Sequence, residues 1–77
     1  MNQTEAAILT LLAERDIGAT ICPSEVARRI DPDKWRDRMT EVHSAVDCLH
    51  ARERITLSWK GEAMTKRSGP YRIAEAE

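Results

Sequence analysis

The spacing of apolar residues changes at Ile55, and that change limits the folds open to this chain. Before it, Met39, Val42, Val46 and Leu49 recur at intervals of three, four and three, the stripe of a helix packed against neighbours. After it, Ile55, Leu57 and Trp59 alternate with Thr56, Ser58 and Lys60, the period of a half-buried strand. Helical periods first and strand periods last imply an α+β chain, mainly α, and 77 residues leave room for one domain, 1–77.

Asn2 and Glu5 make a capping pair that starts a first helix at residues 3 to 16, with Ile8, Leu11 and Leu12 inward and Gly18 as its left-handed stop. The β-branched pair Thr20 and Ile21 precedes Pro23, which disfavours helix before it, so a short extended piece is expected there. Pro23 suits the first turn of a second helix, 23 to 30, with Val26, Ala27 and Ile30 facing in. Asp31-Pro32 opens a short helical turn at 32 to 36, with Trp35 covering the end of the core. A third helix is expected from Thr40 to residue 53. Residues 55 to 60 are then expected to pair with 70 to 74 as a two-stranded hairpin, with Tyr71 and Ile73 on one face and the polar tip GEAMTKRSG between. Residues 75 to 77 are expected to fray. This order is that of a winged helix-turn-helix, three helices followed by a β-hairpin wing.

Twelve basic residues against 13 acidic ones give a net charge of -1, without the basic excess of a strong nucleic-acid binder. Hydrophobic residues at 42% and charged ones at 32% argue against disorder. Glu5 and Glu14 flank the apolar residues of the first helix, so neither a signal peptide nor a membrane span is expected there. The expected setting is a reducing cytosol with Cys22 and Cys48 as free thiols. Cys22 falls at the N-cap of the second helix, where two readings stand: a reactive thiol, or a small apolar residue filling a corner, the preferred one. No Ser/His/Asp order, glycine-rich phosphate loop or C-x-x-C appears, so neither an enzyme nor a cofactor is expected.

The words ICPSEVAR at 21 to 28, WRxxM at 35 to 39 and GPxRI at 69 to 73 resemble a small bacterial family of unknown function that is winged-helix-like. The resemblance spans almost the whole chain and implies the fold. It carries over no catalytic residue, and the chain departs from the family at Ser58-Trp59, where more polar residues are the rule.

Two functions of different kinds follow. On the outer face of the third helix stand Thr40, His43, Ser44 and Asp47, with Glu41 beside them, a set without the asparagine, glutamine or arginine that usually reads bases. Lys34, Arg36 and Arg38 before that helix, and Lys60, Lys66 and Arg67 on the wing, are placed to hold phosphates, or are simply solvated charges. One expectation is therefore weak binding of double-stranded DNA, with Arg36, Arg38, Lys60, Lys66 and Arg67 on phosphates and Thr40, His43 and Ser44 nearest the bases. The other is a protein-interaction or regulatory module, in which Trp59 and Met64 on the wing contact another protein or a second copy of the chain. His43, Asp47 and His50 line one edge of the third helix but converge poorly for a metal, and none is expected.

Overall fold

A computed structural model describes residues 2–76. Three helices stand in it against a four-stranded antiparallel sheet: α1 Gln3–Ala13, β1 Thr20–Ile21, α2 Pro23–Ile30, a 3₁₀ turn Trp35–Arg38, α3 Met39–Ala51, β2 Ile55–Trp59, β3 Glu62–Met64 and β4 Arg72–Glu75. No helix among the described residues is long and apolar enough to cross a membrane.

The helix starts follow the chemistry of their first residues. Asn2 Oδ1 accepts the Glu5 N–H at 2.8 Å and caps α1. Cys22 caps α2 differently, its own N–H donating to the Glu25 carboxylate at 3.2 Å while Pro23 fills the first turn. α1 stops at Ala13, three residues short of the expected end, because the chain must turn through Gly18 (φ +85°) to reach β1. α3 begins at Met39 directly out of the 3₁₀ turn, which lies at 35 to 38 rather than 32 to 36. It ends at Ala51, where the Glu53 N–H bonds the His50 carbonyl at 3.0 Å and the Arg54 N–H bonds that of Leu49 at 2.9 Å. This closure requires a left-handed residue, a place usually taken by glycine, and Glu53 occupies it with φ 59°.

The sheet corrects the expected two-stranded wing. Its order is β1-β4-β2-β3, so β2 lies between two partners. On one side β2 pairs with β4 (Leu57↔Ile73, Ser58↔Arg72), the pairing the sequence implies. On the other, β2 turns back through Lys60 and Gly61 into β3, with Trp59 opposite Glu62 and Leu57 opposite Met64. Part of the supposed polar tip is thus a strand. Both turn residues have positive φ, 52° and 83°, as the tight two-residue hairpin turn demands. β1 closes the far edge on β4, and Arg72 pins it there, donating to the Thr20 hydroxyl at 2.7 Å and carbonyl at 3.1 Å. The C-terminal end is also more engaged than expected: Glu75 belongs to β4 and the Ala76 N–H bonds the Arg54 carbonyl at 3.1 Å. Glu77 lies outside the described residues.

Between the layers lies one core, in which Ile8, Ile21, Val26, Val42, Val46, Leu49 and Ile73 are completely buried. Ile30, Trp35 and Met39 pack against it while keeping part of their surface in water. Each buried aliphatic contributes about 1.5–3 kcal/mol relative to exposure, and this burial offsets the ordering of so short a chain.

Candidate functional site

Because β3 and β4 flank β2 on opposite sides, the segment 65 to 71 must pass from one side of β2 to the other, and the contacts of Arg67 and Tyr71 with α3 place it on the helical side. The crossing brings two side chains against α3. Arg67 makes a paired contact with Asp47, Nε to Oδ1 at 2.8 Å and Nη2 to Oδ2 at 3.0 Å, and holds that carboxyl below its usual range. Tyr71 is buried, its hydroxyl 2.6 Å from Nδ1 of His43 and the two rings 5.6 Å apart. Burial pushes the phenol up to about 12, while burial and then the nearby Arg67 charge push the imidazole below its ordinary value. His43 is therefore neutral at pH 7, and with its proton on Nε2 the phenol O–H donates to Nδ1. His43, Asp47 and His50 do not form a metal clasp: Tyr71 takes one His43 nitrogen and Arg67 both Asp47 oxygens.

The residues expected to contact DNA fall into separate situations. Thr40 and Ser44 are exposed on the outer side of α3. Arg38 is drawn into ion pairs with Glu41 at 2.9 Å and Asp31 at 3.6 Å, and Arg67 is held by Asp47. Arg36 instead lies over the Trp35 ring, 4.4 Å from its centroid. Lys60, in the β2–β3 turn, and Lys66, in the crossing segment, are exposed and have no carboxylate within ion-pair distance among the described residues.

Trp59 and Met64, expected to act together, line different hollows. Met64 sits opposite Leu57, beside a depression that includes His50 and Thr56. Trp59 shares the core-facing side of β2 with Ile55 and Leu57, but it stands at the strand's end and keeps 40% of its surface exposed. Its ring borders a groove of about 320 Å³ walled by Pro23, Met39, His43, Pro70 and Tyr71. Cys22 and Ser24 complete the α2 end of the groove, with Sγ and Oγ 3.1 Å apart, so the thiol sits half-buried at a corner. The expected pairing of 55 to 60 with 70 to 74 already set Tyr71 near Trp59, whereas Pro23, Met39 and His43 join the groove only through the packing of α2 and α3. The spacing of four between Trp35 and Met39 was the available signal for the α3 side.

A second feature also escaped sequence reasoning. Arg28 of α2 lies over the same Trp35 ring as Arg36, again 4.4 Å from the centroid. Ser24 and Arg28, four apart, lie on one flank of α2, so this stack is about one helical turn from the groove.

No curated protein matches the chain. The profile of a family described as "Protein of unknown function (DUF3253)" matches residues 1–76.

Proposed function

The chain belongs to that family, whose description names no activity, and from the geometry of its own residues we propose a protein-interaction module of winged-helix type with the Trp59 groove as its contact surface. The winged-helix reading is supported by the chain path: α2 and α3 form the helix pair, β1, β4 and β2 form the sheet, and β3 is an added strand folded onto the wing. The observation that carries the function is a tryptophan left 40% exposed in a hollow whose other walls include Met39, Pro23, Pro70 and Tyr71, with His43, Cys22 and Ser24 as its polar members. A tryptophan offers up to ~250 Å² for burial, so about 100 Å² of Trp59 remains to be covered. Covering it would contribute about 2.5 kcal/mol, the scale of an interface hot spot. Tyr71, fixed by His43, gives the groove a rigid floor, so a partner does not have to order it.

The test is a selection of random peptides on the chain, followed by affinity measurement on the wild type and on Trp59→Ala. Enriched peptides should bind the variant about thirtyfold more weakly, the equivalent of ~2 kcal/mol, under conditions where the variant still unfolds cooperatively in urea, at a midpoint lowered by the loss of the covered part of the ring. Peptides that bind both proteins equally refute the proposal.

A second reading, weak duplex DNA binding, is favoured by the outer side of α3. Thr40, Ser44, Cys48 and Ala51 are exposed there, and its two carboxylates, Glu41 and Asp47, are each held by an arginine, so neither presents a bare charge to phosphates. Binding of this kind falls steeply with salt and uses Arg36, Lys60 and Lys66. A low-salt duplex titration without binding well above ~100 μM ends this reading.

A further inference from the structure

Arg28 and Arg36 each place a guanidinium carbon 4.4 Å from the centroid of the Trp35 ring, so the two cations are no farther apart than twice that distance. Among the described residues neither has a carboxylate within 4 Å, whereas Arg15, Arg29, Arg52 and Arg67 each hold one and Arg38 holds two. Asp33 and Asp37, close by in sequence, are exposed and do not reach them. Two guanidiniums held against one indole, neither of them neutralised by a carboxylate among the described residues, make this a cationic spot open to an anion.

The position of the pair relative to the groove selects the anion. Ser24 and Met39 line the groove, and each stands four residues from a member of the cluster, Arg28 along α2 and Trp35 at the start of the 3₁₀ turn that leads into α3. One turn of helix is ~5.4 Å. In an extended segment, side chains on one face are two residues and ~6.5 Å apart. We propose that the groove takes an extended segment of a partner protein that seats an apolar side chain against Trp59 and, two residues along, brings an Asp or Glu carboxylate to the cationic spot made by Arg28 and Arg36. This proposal rests on the interaction reading above and adds the partner's chemistry. A nucleic-acid phosphate would satisfy the arginines but would leave the neighbouring wall of Met39, Trp59 and Pro70 without an apolar occupant.

The test uses three synthetic serine-rich peptides with a single leucine, followed two positions later by Asp, Ser or Lys. Each is titrated into ¹⁵N-labelled protein, whose two tryptophans give two separate indole N–H signals. The Asp peptide should move both signals and bind about fivefold more tightly than the Ser peptide, with the Lys peptide weakest. Arg28→Ala combined with Arg36→Ala should bring the three affinities together while leaving the Trp59 shift in place; Arg28→Gln with Arg36→Gln serves the same purpose if the alanine pair lowers the melting temperature. Three equal affinities, with only the Trp59 signal moving, overturn the inference and leave the interaction reading standing. If no peptide moves the Trp59 signal, both fall. A duplex DNA that moves the Trp35 signal at lower concentration than the Asp peptide assigns the arginines to phosphate, and a Trp59 signal that moves on dilution of the protein alone assigns the groove to a second copy. Either result overturns the inference.

Discussion

Tyr71 is the one tyrosine in the chain, so its ionisation can be followed directly by phenolate absorbance. Its ring is only 3% exposed, and burial pushes its pKa from 10.0 to about 12. Below pH 10 both folded and unfolded chains keep the phenol proton, and stability is unaffected. Between pH 10 and about 12 the unfolded chain releases the proton and the folded one does not, so the equilibrium moves toward unfolding. Two pH units at 1.36 kcal/mol each give a loss of about 2.7 kcal/mol by the top of that window, a large part of the margin of a domain this small. Tyr71→Phe keeps the ring and removes the ionisation. It should cost about 1 kcal/mol at pH 7 through the lost bond to His43, yet lose less stability than the wild type as the pH rises. Urea unfolding of both proteins at stepped pH measures the difference. A wild-type phenol titrating near 10 while the fold persists, or two proteins losing stability in parallel, would refute the reasoning.

The acid side should show the opposite sign at the same contact. Burial and Arg67 lower the His43 pKa, with Asp47 opposing, so the unfolded chain takes up the proton first as the pH falls through 6.5. Stability present above pH 6.5 should decline below it, and His43→Gln should decline less, as urea midpoints at stepped pH will show. At the β2–β3 turn Lys60 holds φ 52°, which disfavours any residue with a bulky Cβ. Lys60→Asn should raise stability by about 0.5–1 kcal/mol in urea unfolding, because asparagine before glycine is the preferred pair for this turn; a lower midpoint would contradict the assigned turn.

Much of the helical half was legible because the sequence signals agree with one another there. Asn2 with Glu5, Pro23 behind Cys22, and the stripe Val42, Val46, Leu49 each point to the element that forms. The sheet was legible only where it is buried: Ile55, Leu57 and Ile73 gave β2, β4 and their pairing. β3 was missed for a physical reason. Glu62, Ala63 and Met64 face an open edge with little apolar burial to set a period, and the turn before them is Lys-Gly, without the Asn-Gly or Asp-Gly that usually announces a tight hairpin. The groove was legible in part, since the pairing of β2 with β4 sets Tyr71 near Trp59, but its other walls, Pro23, Met39 and His43, come only with the packing of α2 and α3 on the sheet. Arg38 and Arg67 could be placed by element but not by partner. Their pairing with Glu41 and Asp47 depends on a spacing of three across the junction of the 3₁₀ turn with α3 and on a contact 20 residues away.

The two functional readings place the contact on different residues, so the most direct measurement titrates ¹⁵N-labelled protein side by side with a leucine- and aspartate-bearing peptide and with a short DNA duplex at low salt. The account predicts that the peptide moves the Trp59 indole signal together with the backbone signals of Ser24, Met39 and Tyr71, and that the duplex leaves them in place. Movement of Lys60, Lys66 and Thr40 with the duplex, and a Trp59 signal indifferent to the peptide, would contradict it.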